Sequence, residues 1–258
     1  MLIDVHCHLD HELFKENLDN VIQRARDARV KVIITNGVNP STNRKSLKIA
    51  SKYDIVKCAL GIYPIDALEK EIKEEDYTVD NQEFVVDKEI EFIKKNKDKI
   101  VAIGEVGMDG KHGKDFDMQS RVFEKMILLA KELNVPIMVH SRKAELQCIE
   151  LLEKHSMKKV IMHCFGGRKN LVQRIIDNKW YFSIPCNCVR STHFQNIIKM
   201  CTINKLLTET DAPYLGPNPD GVNEPANVSE TLKVIAKIKE FTVEEVENNI
   251  FLNWQRLF

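Results

Sequence analysis

Hydrophobic and polar positions alternate between two rhythms along this chain. Short β-rich apolar runs at Leu2–His6, Val32–Thr35, Ile55–Leu60, Ile100–Gly104, Pro136–Val139, Lys159–His163, Tyr181–Ile184 and Lys205–Thr208 predict buried strands. Between them, apolar residues recur at helical spacing. These stretches are Leu13–Ala28, Ser41–Lys52, Val86–Lys97, Gln119–Leu133, Ala144–His155, Leu171–Asn178, Phe194–Met200 and Pro225–Lys239. A last segment, Thr242–Phe258, opens with Thr242-x-x-Glu245, the form of a capping box, and predicts a closing helix. Strand and helix alternating eight times predict a (β/α)8 TIM barrel. An open doubly wound sheet also alternates, but it usually has fewer strands and a glycine-rich first turn. Here the first strand ends in His-Cys-His with no G-x-G-x-x-G after it. The acidic, polar stretch Ala67–Glu83 predicts a surface excursion after the third strand.

Composition narrows this picture without changing it. The 258 residues suit a single barrel domain over 1–258, with no Gly/Pro-rich linker to divide it. Lys and Arg total 38 and so do Asp and Glu, giving no net charge, which argues against a sequence-independent DNA coat. Seven cysteines, an odd number with no C-x-x-C pair, read as reduced thiols filling the core of a cytoplasmic protein. The N-terminus MLIDVHCHLD lacks both a basic region and a long apolar run, so neither a signal peptide nor a membrane association is expected.

The candidate chemistry lies where the predicted strands end. Strand one ends in Asp4-Val5-His6-Cys7-His8, strand four runs into Gly104-Glu105, strands five and six end at His140 and His163, and strand eight ends in Thr208-Glu209-Thr210-Asp211. Barrel enzymes carry their chemistry at this face, because the strand ends converge on one mouth. Side chains alternate along a strand, so His6 and His8 point the same way, about 7 Å apart, and can converge on one ion if the chain bends. Imidazoles with carboxylates suit Zn2+, Mn2+ or Fe2+, and suit Mg2+ or Ca2+ alone less well. Six candidate ligands exceed the need of one tetrahedral ion. Two ions sharing a carboxylate is the economical arrangement, with Glu105 the best-placed bridge. His11, His112, His155 and His193 fall in predicted loops or helices and are expected at the surface. Cys7 and Cys164 are expected to face away from the ligands.

These residues lie within motifs that run the length of the chain. They are D-x-H-x-H at Asp4–His8, I-G-E-V-G-x-D at Ile103–Asp109, Gln119 with Val122-Phe123, and P-I-M-V-H-S-R at Pro136–Arg142. M-H-C-F-G-G at Met162–Gly167, L-x-E-T-D-A-P-Y-L at Leu207–Leu215, N-E-P at Asn223–Pro225 and N-x-x-R-L-F at Asn253–Phe258 follow. In this order and spacing the sequence resembles the TatD-type metal-dependent deoxyribonucleases, a branch of the amidohydrolase-like barrels. The resemblance implies a two-metal hydrolase of DNA phosphodiesters with 3′–5′ exonuclease activity on single strands or 3′ ends. It implies two divalent cations, Zn2+, Mn2+ or Mg2+, with His6, His8, Glu105 and Asp211 around one and Glu105, His140 and His163 around the other. No obligate protein partner is implied.

Three segments depart from the family pattern. Gly61-Ile62-Tyr63-Pro64 stands where many members have G-x-H-P, Gly107–His112 is unusual after Glu105, and Ser183-Ile184-Pro185-Cys186-Asn187 replaces a small-residue turn. All three are expected at the mouth. Asp211 and Glu105 are the expected catalytic carboxylates, with Asp211 taking the proton of the attacking water. Tyr63 and Arg142 are the expected substrate contacts, and Glu209 and Asp4 the groups expected to orient the histidines. The same ligand set in related barrels hydrolyses cyclic amides, lactones or phosphotriesters, which is the rival enzyme class. A scaffold built on a dead barrel is the non-catalytic rival, and the complete ligand set argues against it.

Overall fold

The computed structural model describes residues 1–65 and 84–258. The stretch expected as a surface excursion, Ala67–Glu83, therefore lies outside the described residues. Eight parallel strands form one sheet in sequence order: β1 (Leu2–Cys7), β2 (Val30–Asn36), β3 (Val56–Leu60), β4 (Ala102–Gly107), β5 (Ile137–His140), β6 (Val160–Met162), β7 (Tyr181–Ile184) and β8 (Leu206–Thr208). The helices of the described residues are α1 (Leu18–Asp27), α2 (Pro40–Lys52), α3 (Val86–Lys95), α4 (Phe116–Leu133), α5 (Glu145–Lys154), α6 (Lys169–Asp177), α7 (Thr192–Met200), α8 (Val228–Lys239) and α9 (Val243–Leu257). This is the expected (β/α)8 barrel. Its strands are covered on both faces, so they read as continuous apolar runs: β1, LIDVHC, is buried at all six positions.

The seam between first and last strand is closed just beyond β8. The Asp211 N–H donates to His6 O (2.8 Å) and the His8 N–H to Ala212 O (2.8 Å). Asp4 strengthens the seam, because its carboxylate accepts from Thr210 N (2.9 Å) and Thr210 Oγ1 (2.6 Å) as well as from the His6 N–H (3.2 Å). These bonds set Asp211 beside the two histidines of β1.

Two boundaries differ from the sequence pattern for identifiable reasons. The pattern ends strand four at Gly104, yet the ladder continues to Gly107, pairing Val106 with Val139 and Gly107 with His140. Glycine is needed there by contact: a Cβ on Gly104 would lie 2.7 Å from Met138 Cβ. Glu105 thus sits inside a strand. The helix expected over Leu13–Ala28 is instead a 3-10 turn, Glu12–Phe14, followed by α1. His11 Nδ1 caps that turn by accepting from Leu13 N (3.2 Å), and Asn17, with φ −132°, interrupts the helical path. The closing helix carries the expected capping box, with Thr242 and Glu245 each accepting from the other's backbone N–H.

Candidate metal centre

Six side chains converge at the C-terminal mouth of the barrel. β1 supplies His6 and, one residue past its end, His8. β4 supplies Glu105 and β5 supplies His140, while His163 and Asp211 lie just beyond β6 and β8. Asp211 takes a left-handed backbone conformation (φ 55°), which turns its carboxylate into the mouth.

Most of the distances divide the cluster into two halves; His163 Nε2 stands between them, within 3.9 Å of Asp211 Oδ1 as well as of Glu105 Oε1. His6 Nε2 lies 3.3 Å from His8 Nε2, 3.4 Å from Glu105 Oε2 and 3.4 Å from Asp211 Oδ1. His8 Nε2 lies 3.4 Å from Glu105 Oε2 and 3.5 Å from Asp211 Oδ1. A tetrahedral ion bonded at about 2.05 Å to each donor sets donor–donor edges of about 3.3 Å, and the five separations that involve His6 or His8 match such edges. The other carboxylate oxygen, Glu105 Oε1, faces the second half, 3.1 Å from His140 Nδ1 and 3.8 Å from His163 Nε2. One carboxylate therefore presents one oxygen to each half. Three protein donors in the second half leave positions for water or substrate.

What each imidazole does with its other nitrogen tests the fit to a cation. His8 Nδ1 donates to Asn36 O (3.1 Å), His163 Nδ1 to Glu209 Oε2 (2.8 Å) and His140 Nε2 to Asp109 Oδ2 (2.9 Å), while His6 Nδ1 faces Met138 Sδ (2.9 Å). Protonating those outer nitrogens leaves the inner ones as lone pairs aimed at one centre, which is the tautomer a metal ligand needs. A set of inward imidazole lone pairs and carboxylates fits a divalent transition ion. A third grouping, His6, His163 and Glu209, is also close enough to hold an ion. Glu209 is spent behind it, however, accepting from His163, Cys164 N (3.0 Å) and Ser183 Oγ.

The electrostatics agree. Burial would lower the His6 imidazole, but Glu105 and Asp211 outweigh it and raise it well above the ordinary histidine range. Burial likewise opposes Asp109 and Glu105 at His140, which is raised to about 9. Glu105 is held well below the ordinary carboxylate range against its burial, chiefly by His6 and His140, and Asp211 is depressed against its burial by His163, His6 and His8. The mouth is thus a focus of negative potential in which protons stand where a cation would.

A cavity of about 730 Å³ opens over the cluster, lined by Tyr63, Arg142, Asn187 and Tyr214 among others. Tyr63 is almost fully buried and its hydroxyl lies 3.1 Å from His140 Nε2 and 3.4 Å from Asp109 Oδ2. Arg142 is exposed on the wall. Several expectations need correction. Glu209 orients a histidine as expected, but Asp4 reaches His6 only through the backbone and otherwise holds Thr210. His112 is not at the surface but buried, its Nδ1 3.3 Å from Asp109 Oδ2; His11, His155 and His193 are partly buried. Cys164 lines the cavity instead of facing away, because its own backbone has φ 41°. The segment Gly107–His112 packs behind His140 instead of lining the mouth; of Ser183–Asn187, Ser183 lies beneath Glu209 while Asn187 lines the cavity as expected. Asp109 was missed as a site residue. Its signal was a lone Asp two residues past the strand end, fully buried here and accepting from the Lys111 and His112 N–H groups (2.7 and 2.8 Å).

Comparison with known proteins gives one consistent result. A family described as TatD related DNase matches residues 3–258. Deoxyribonuclease TATDN3 of Homo sapiens is 33% identical over 264 residues, covering 100% of this chain and 94% of that protein. The 3′-5′ ssDNA/RNA exonuclease TatD of Salmonella typhimurium is 30% identical over 249 residues, covering 91% and 90%. In fold, the crystal structure of the TatD homolog YJJV from Escherichia coli superposes with a TM-score of 0.85 at 24% identity, covering 100% of this chain and 97% of that one.

Proposed function

The chain belongs to the TatD-related DNase family, and we propose that it is a metal-dependent deoxyribonuclease that removes nucleotides from the 3′ end of single-stranded DNA. The observation that carries this reading is the split carboxylate of Glu105, with one oxygen toward His6 and His8 and the other toward His140. In it His6, His8, Glu105 and Asp211 hold one divalent cation and Glu105, His140 and His163 a second, with Zn2+, Mn2+ and Mg2+ the candidates. Such a pair supplies Lewis-acid polarisation of the phosphoryl group and a water acidic enough to react near neutral pH. Asp211, kept ionised by the surrounding imidazoles, accepts the proton of the attacking water. Arg142 on the cavity wall pairs with a phosphate oxygen, and Tyr63 borders the same space beside His140. Among the described residues no helix is long and apolar enough to cross a membrane; the proposed setting is the cytoplasm, with no obligate protein partner.

The test is a 5′-labelled single strand incubated with the metal-stripped protein reloaded with Zn2+, Mn2+ or Mg2+. The reading predicts stepwise shortening from the 3′ end that needs the ion and is lost in Asp211→Asn. Absence of cleavage with every ion, alongside metal-dependent hydrolysis of a lactone or phosphotriester, would replace it with the small-molecule hydrolase reading.

A further inference from the structure

Glu105, the carboxylate common to both halves of the centre, is seated on two glycine loops. Its N–H donates to Gly37 O (3.0 Å), and Gly61 packs so closely on it that a Cβ there would lie 2.4 Å from Glu105 O. A single buried amide grips both loops. Asn43, in the first turn of α2, donates from Nδ2 to Gly61 O (2.9 Å) and accepts at Oδ1 from Gly61 N (3.1 Å). The same Oδ1 fills the space beside Gly37, where a Cβ would meet it at 2.1 Å. The second hydrogen of Nδ2 goes to Glu89 Oε1 (2.8 Å) on α3. Two oxygen acceptors at one end and an N–H donor at the other leave the amide one orientation. Glu89 is itself buried, and Arg44 Nη1 donates to both of its oxygens (2.6 and 2.7 Å) while stacking 3.7 Å from the centre of the Phe92 ring.

We infer that Asn43 and Glu89 are positioning residues for Glu105, fixing through Gly37 and Gly61 the carboxylate that both ions share. Neither side chain lines the cavity, so neither touches substrate. The inference rests on the proposed role of Glu105 as the common ligand. Its consequence is specific: a disturbance at Asn43 reaches both ions together, whereas one behind a single histidine reaches one. Groups that orient metal ligands are typically worth about 10–100-fold in metal affinity.

The experiment uses the full chain, stripped of metal and titrated with Zn2+ by calorimetry and with Co2+ by its visible spectrum, with the unfolding temperature of each variant measured beside it. Asn43→Ala is expected to weaken both ions about 10–100-fold and to change the Co2+ bands. Glu89→Gln, which keeps an oxygen for Asn43 but loses the ion pair with Arg44, is expected to give a smaller loss at both ions. It decides the matter alone if Asn43→Ala does not fold. The control is Asn253→Ala, another buried amide, which holds Ile203 O (2.7 Å) and Leu206 O (2.8 Å) at the opposite end of β8. It should lower the unfolding temperature and leave both affinities unchanged. Wild-type affinities in Asn43→Ala or Glu89→Gln, or equal metal loss in Asn253→Ala, overturn the inference. Retention of both ions by Glu105→Ala overturns instead the shared-ligand reading beneath it.

Discussion

Replacing Asp109 by Asn separates the two halves of the centre by changing a single proton position. Asp109 Oδ2 accepts from His140 Nε2 at 2.9 Å, and this bond keeps His140 Nδ1, 3.1 Å from Glu105 Oε1, as a lone pair. An Asn oxygen can still accept from Lys111 N and His112 N, now bonded at 2.7 and 2.8 Å, so the loop has no reason to unfold. Its NH2 group then faces His140 Nε2, which must accept instead of donate. The ring proton moves to Nδ1, and His140 stops being a ligand in its favoured tautomer. Orienting groups of this kind are worth about 10–100-fold in metal affinity, or about 1.4–2.7 kcal/mol. The loss should fall on the ion held by His140 and His163. The ion held by His6, His8 and Asp211 should keep its affinity, since Asp109 touches none of those three. Calorimetric titration of metal-stripped wild type and Asp109→Asn resolves the two events. Equal weakening of both ions, or no weakening of either, would refute the tautomer argument.

Three further outcomes follow from the same geometry. Tyr63→Phe removes a hydroxyl 3.1 Å from His140 Nε2 and should cost about 0.5–1.5 kcal/mol, up to about tenfold in kcat/KM on a short single strand; an unchanged kcat/KM removes Tyr63 from the reaction. EDTA should abolish cleavage yet leave the far-UV circular dichroism intact, because the strands are held by a continuous apolar core; loss of that signal would make metal a folding requirement. In the metal-free protein His140 is raised to about 9, above its unfolded value, so its stabilisation is complete below about pH 6.5 and lost as pH rises through 9. Urea midpoints of the metal-free protein should fall over that window, while those of the loaded protein, whose His140 carries no such proton, should not.

The barrel was legible because its strands are buried on both faces and its helices are amphipathic, two patterns that differ strongly along the chain. All six proposed ligands were legible for a related reason: strand ends converge, so an unusual density of imidazoles and carboxylates at those ends is itself spatial information. What surrounds the ligands was only partly legible. Glu209 could be inferred because it alternates with Asp211 along the same segment. Asp109 closes the I-G-E-V-G-x-D motif, but its role could not be read there, because it depends on a turn folding back behind His140. His112 failed for the converse reason: between Lys111 and Gly113 it reads as a loop histidine, yet the turn around Asp109 buries it. Asn43 and Glu89 are 46 positions apart, on α2 and α3, and only the folded chain brings them together. Cys164 was placed on the wrong face because strand alternation was extended two residues beyond β6, where its φ of 41° ends that alternation.

The central claim is that Glu105 bridges two ions. A crystal of the Zn2+-loaded protein, with an anomalous difference map collected at the zinc edge, tests it most directly. The account predicts two peaks, one among His6, His8 and Asp211 and one between His140 and His163, each about 2.0–2.2 Å from a different oxygen of Glu105. A single peak, or an ion bound by Glu209 instead of Glu105, would contradict it.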